Sequence, residues 1–115
     1  MVKSYRDLKV WQRAIEMTLA IYRLTTGFPK EELFGLTSQI RRSGVSVASN
    51  IAEGYGRGSK GEYKQFLGMA RGLNLEAQTQ LFIATELGYG NPAHLKAADE
   101  LSKVSRMLNS LLAKL

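Results

Sequence analysis

Residues 46–64 read SVASNIAEGYGRGSKGEYK, and the fold turns on how this stretch is taken. In its first half Val47 and Ile51 stand four apart with Ala48 and Ala52 beside them, the spacing of one helix face. The β-branched residues of VSVAS (45–49) suit a strand on propensity, but the alternation is too short. Helical spacing on either side, from Leu36 through Ile40 to Ile51, is stronger. The middle then packs Gly54, Gly56 and Gly58 into five residues, which predicts a tight turn. After it, Ser59 and Glu62 form the Ser-x-x-Glu pattern of a capping box, hydroxyl and carboxylate each satisfying a free backbone N–H. The segment reads as the elbow of a helical hairpin, with one helix over about 36–55 and another over 60–87.

Outward from the elbow the same periodicity continues. The later helix carries Tyr63, Phe66, Leu67, Ala70, Leu73, Ala77, Leu81 and Ala84 on one side. Gly68 and Gly72 interrupt it, each costing roughly 1 kcal/mol against alanine. Folding back about Gly58 sets Gly68 opposite Ala48 and Gly72 opposite Gly44, which predicts the closest helix approach of the fold there. Gly88 and Gly90 end this helix, and Asn91-Pro92 is the N-cap and first-turn proline of a fourth, over 92–114. Its seam is Leu101, Val104, Leu108, Leu111 and Leu115. Upstream, Leu8, Trp11, Ala14, Ile15, Thr18, Ile21, Tyr22 and Thr25 predict a first helix over about 5–26, with Val10, Met17 and Leu24 as a second apolar row. Trp11 reads as core. Gly27 is expected as a left-handed stop, and Pro29 blocks continuation. The fold class is therefore all-α, an up-down-up-down antiparallel four-helix bundle in a single domain over residues 1–115.

Composition narrows the function. With no cysteine among 115 residues, disulfides and thiolate chemistry are excluded. No apolar run reaches the ~20 residues of a membrane span, and the N-terminus lacks the h-region of a signal peptide, so a cytoplasmic protein with no membrane role is expected. The formal charge is +6. Residues 1–30 and 91–115 hold the whole excess, since each segment between them has equal numbers of basic and acidic side chains. Such an imbalance suits a polyanionic partner.

Arg6, Lys9 and Arg13 share one side of the first helix and are nucleic-acid candidates. The run GYGRGSKG lacks P-loop spacing and follows a helix, not a strand, which rejects a dinucleotide fingerprint. Arg57, Lys60 and Lys64 nevertheless lie by the N-terminal end of the third helix, where an anion is favoured. The polar row Gln39, Arg42, Ser46, Asn50, Glu53 and Arg57 fits a solvated face or a subunit contact. Asn50, Glu53, Gly54, Arg57, Ser59 and Glu62 are candidates for holding the elbow or meeting another copy. Glu53 and Glu76, paired with Arg42, Arg57 or Arg71, fit buried or interfacial ion pairs. His94 is the lone histidine, placed on the surface, and no Glu-x-x-His pair of a di-metal bundle occurs. No catalytic residue, metal site or cofactor is expected.

DLKVWQ (7–12), FGLTSQIRR (34–42) and SNIAEGYGR (49–57), in this order and spacing, resemble the four-helix-bundle proteins encoded in intervening sequences of bacterial 23S rRNA genes. The similarity runs from about Asp7 to Leu112. It implies a four-helix bundle assembling as a ring-shaped homopentamer. The chain is also similar to the accessory protein of diversity-generating retroelements, which binds a reverse transcriptase and nucleic acid through a basic surface. Two positions depart from the pattern. Ala48 stands where the family usually has proline, implying a straighter second helix, and Gln78 stands where a second acidic residue is usual. The expected function is that of a non-enzymatic, cytoplasmic homo-oligomer, a pentamer, that associates with RNA or DNA through its basic surface. The alternative is a structural adaptor for a protein such as a reverse transcriptase, with no direct nucleic-acid role.

Overall fold

A computed structural model describes residues 1–90 and 92–115. Four helices make up the molecule: α1 (Lys9–Thr25), α2 (Leu36–Gly56), α3 (Lys60–Glu86) and α4 (Pro92–Lys114). Each antiparallel neighbour packs on the next, and α1 also packs on α4, closing a four-helix square about 42 Å long. No strand occurs among the described residues. The VSVAS segment is helical, because Val47 and Ala48 fall on the buried side with Ile40 and Ile51. α2 runs unbroken past Ala48. The expected N-cap at Asn91 lies outside the described residues.

The first helix begins later than the periodicity indicated. Tyr5–Asp7 is a separate 3-10 turn, and Leu8 is extended before α1 starts. Local hydrogen bonding explains the break. Ser4 Oγ accepts from the Arg6 N–H, while the Asp7 carboxylate accepts from the backbone N–H groups of Lys3 and Ser4, at 2.8 and 3.2 Å. This is a complete capping box, and it closes a short turn on itself.

The buried face of α1 is also rotated from the expected one. Val10, Ala14, Met17, Ile21 and Leu24 are its centre, and the row expected as secondary is the deeper one. α1 lies between α2 and α4, so its core face points between them. Trp11 and Ile15 flank that face toward α2 and are partly buried.

Glycines do different work from that expected. Only Gly58 and Gly88 have positive φ among the described residues, both +82°, so Gly27 is not a left-handed stop. The chain leaves α1 through short bonds instead, Gly27 N–H to Leu24 O and Phe28 N–H to Thr25 O. Gly88 closes α3 with a Schellman pair, Tyr89 N–H to Ala84 O at 2.9 Å and Gly88 N–H to Thr85 O at 3.0 Å. Apart from the adjacent backbone of α3 itself, neither Gly68 nor Gly72 has a heavy atom within 4 Å of where a Cβ would sit. The expected Gly68–Ala48 and Gly72–Gly44 approaches are therefore absent. Gly44 instead faces α1, with Ile21 Cδ1 3.0 Å from its notional Cβ and Thr18 Oγ1 donating to its carbonyl. The tight α2–α3 contact is at Gly54, where a Cβ would lie 2.6 Å from Phe66 Cβ. Folding about Gly58 gave the wrong register because α3 turns a different face to α2 than a mirror-like pairing assumes.

The buried polar groups are not the expected Glu53 and Glu76. Asn74 donates to Leu101 O at 3.1 Å and accepts from Gln78 Nε2 at 2.6 Å. Gln80 accepts from Ser43 Oγ at 3.1 Å and donates to Glu76. Glu100 is fully buried.

Candidate nucleic-acid interface

The up-down-up-down path brings the beginning of α1, the α2–α3 elbow and the last turn of α4 to one end of the bundle. Tyr63 of α3 shares a cavity there with Lys9 of α1 and Lys114 of α4. The two charge-rich ends of the sequence thus become neighbours, because α1 packs directly on α4. This pairing sets Lys9 and Arg13 of α1 and Lys114 of α4 on adjoining cavities.

Two adjoining cavities form that groove. One, of about 490 Å³, is lined by Lys9, Gln12, Arg13 and Glu16 of α1 and Met107 of α4. The other, of about 330 Å³, is lined by Leu8, Lys9, Val10, Tyr63, Met107, Ser110, Leu111 and Lys114. They share Lys9 and Met107. Lys9 and Arg13 stand one turn apart on α1 and so project to the same side. Burial raises the Tyr63 phenol above the usual tyrosine range, with Tyr55 adding to the effect; their rings meet edge-on at 6.2 Å.

Glu100 of α4 meets the groove through Arg13. Its Oε1 is 3.2 Å from Lys96 Nζ, 3.5 Å from Arg13 Nη1 and 3.8 Å from Lys103 Nζ. Its Oε2 has no hydrogen-bond partner. One buried carboxylate therefore converges three cations from two helices. Lys103 also meets Asp99 at 3.0 Å, holding that carboxyl below its usual range. Sequence reasoning missed Glu100. The signal was present, since it stands three after Ala97 and four before Val104, within the buried seam, with basic residues at 96 and 103.

The other candidates divide by location. Arg6 lies in the 3-10 turn before α1, its guanidinium 5.9 Å from the Tyr5 ring. Lys60 and Lys64 occupy the exposed first turns of α3. Arg57 is engaged at the elbow, 3.2 Å from Glu53, 3.9 Å from Glu62 and 4.9 Å from the Phe66 ring centre. Ser59 Oγ caps α3 by accepting from the Glu62 N–H, while the Glu62 carboxylate accepts from that hydroxyl. Asn50 donates to Ser46 O within its own helix, and Gly54 makes the close approach described above. The ion pairs expected for Glu76 do not form: it accepts from Gln80, and Arg71 reaches Asn109. His94 Nδ1 lies 3.1 Å from Thr85 Oγ1.

No group of three or more His, Cys, Asp or Glu side chains placed to hold a metal occurs among the described residues. No helix of those residues is long and apolar enough to cross a membrane. The outer side of α3 is unusual in another way. Met69, Leu75, Phe82 and Ile83 are exposed there beside the open Gly68 and Gly72.

Comparison with known proteins follows the fold. The model of the family described as 23S rRNA-intervening sequence protein matches residues 6–110. A crystal structure of a protein of unknown function from the S23 ribosomal protein family of Bacteroides thetaiotaomicron superposes with a TM-score of 0.81. It is 22% identical, over 90% of this chain and 95% of that one, which supports the fold. None of the curated proteins matches.

Proposed function

We propose, for a chain that belongs to the 23S rRNA-intervening sequence protein family, a non-enzymatic role in associating with RNA or DNA as a homo-oligomer. The observation that carries this reading is the α1–α4 groove, where Lys9, Arg13 and Lys114 line adjoining cavities. Phosphate contacts by lysine and arginine supply affinity without reading sequence. A family resemblance to ring-shaped homopentamers supplies the assembly. Five copies would repeat the groove, and simultaneous engagement of several weak sites raises overall affinity.

The exposed apolar side chains Met69, Leu75, Phe82 and Ile83 of α3 support a contact between copies, since exposed apolar surface collected on one element favours burial against a partner. Light scattering after size exclusion is expected to give several times the 12.8 kDa chain mass; a monomer at micromolar concentration contradicts the assembly. Reversing two groove charges, Lys9→Glu with Lys114→Glu, is expected to weaken RNA or DNA binding at least ten-fold in a mobility-shift titration. Unchanged binding in a folded double variant removes the groove from the reading. The same exposed α3 side favours a second reading, an adaptor for a protein partner such as a reverse transcriptase. That reading gains if the chain is monomeric and retains no nucleic acid at low salt.

A further inference from the structure

We infer that the α1–α4 groove selects single-stranded nucleic acid, taking unpaired bases against Tyr63 and its apolar floor while Lys9, Arg13 and Lys114 hold the phosphates. This rests on the nucleic-acid reading above and narrows its ligand. The groove is more than a cluster of cations. Its floor is Leu8, Val10, Met107 and Leu111, and Tyr63 stands at its end. A duplex offers such a surface mainly sugar and phosphate, with its bases paired and stacked inside. A single strand offers phosphates and exposed base faces together, the combination that cationic grooves with aromatic side chains accommodate.

Dimensions point the same way. Packed helices stand ~8–10 Å apart, so the trough between α1 and α4 is too narrow to seat a whole duplex and matches one strand better. On α4, Met107 and Lys114 both line the smaller cavity and stand about 10 Å apart at the rise of a helix, room for one or two nucleotides. Charge is graded along the path. Glu16 lines the larger cavity beside Lys9 and Arg13, and Glu100 partly neutralises Arg13, Lys96 and Lys103. The smaller cavity has Lys9 and Lys114 and no carboxylate in its lining. Tyr63 sits in this more positive part.

The test uses fluorescein-labelled 20-mers of oligo-dT and oligo-rU and a 20-base-pair mixed-sequence DNA duplex, titrated with the full chain by anisotropy at low salt. A single strand is expected to bind at least ten-fold more tightly than the duplex. Comparing oligo-rU with oligo-dT separates RNA from DNA as the preferred strand, and preference for either supports the inference. Tyr63→Ala is expected to remove most of the single-strand advantage, by roughly ten-fold, whereas Tyr63→Phe retains it. A strand carrying 5-bromouracil should photocrosslink to the wild-type chain at the Tyr63 or Met107 peptides, a readout that needs no substitution. Equal affinity for duplex and single strand, or crosslinks confined to other surfaces, overturns the inference and leaves the broader reading standing. Binding of neither overturns both.

Discussion

Replacing Gly54 with alanine is expected to destabilise the bundle by about 2–3 kcal/mol, the cost of overpacking a tight contact. The new Cβ would fall 2.6 Å from Phe66 Cβ and 3.4 Å from Tyr63 Cδ1. Phe66 is attached there through its own backbone-bound carbon, so rotamer change cannot relieve the clash; α2 and α3 must move apart. Gly68→Ala and Gly72→Ala should act oppositely. Both sites are helical and open, so alanine gains up to ~1 kcal/mol in helix propensity at each. Thermal denaturation at matched protein concentration distinguishes the outcomes, since 1 kcal/mol moves the midpoint by roughly 4–8 °C in a domain near this size. A neutral Gly54→Ala with a damaging Gly72→Ala would restore the pairing inferred from sequence. Loss of assembly mass in Gly68→Ala, without loss of fold, would place the contact between copies over that glycine.

Glu100→Met is expected to stabilise the fold by about 1–4 kcal/mol, the range seen when buried ionic groups give way to apolar ones of similar size. The carboxylate is fully buried, and one of its oxygens is unpartnered. Its three cations keep much of their side chains in water, with 42%, 62% and 38% exposure for Arg13, Lys96 and Lys103. They can turn outward when the carboxylate is removed, leaving no buried charge behind. The same substitution removes the negative partner of Arg13, a groove cation, so affinity for a polyanion should rise together with stability. Urea denaturation and a mobility-shift titration of the one variant read both effects. Destabilisation by Glu100→Met would mean that the carboxylate organises α1 against α4, and weaker binding would mean that it positions the cations.

Most of the architecture was legible because apolar residues recur every three or four positions through all four helices, and that signal survives local propensity. The β-branched VSVAS run did not mislead for this reason. Helix bounds were less legible where side chains rewrite them: Ser4 and Asp7 build their own turn and delay α1 to Lys9. Glycine contacts were least legible, because the rotation of α3 about its axis decides which glycine meets a neighbour. A sequence fold-back cannot supply that rotation. The groove was half legible. Lys9 and Arg13 were read on one side of the first helix, but Lys114, Tyr63 and Met107 join them only through the α1–α4 packing. Glu100 was hidden by its charge, which ordinarily marks a solvated position, although its place in the seam indicated burial.

Salt dependence of nucleic-acid affinity tests the central claim most directly. Binding of a single-stranded RNA or DNA to the full chain, measured from low to moderate salt, is expected to weaken along a straight line in log–log coordinates. Each phosphate neutralised on a single strand contributes ~0.7 to the slope, so engagement of Lys9, Arg13 and Lys114 predicts a slope of about −2 per groove. The account is contradicted if the chain retains no RNA or DNA at low salt, or binds it with an affinity that salt leaves unchanged.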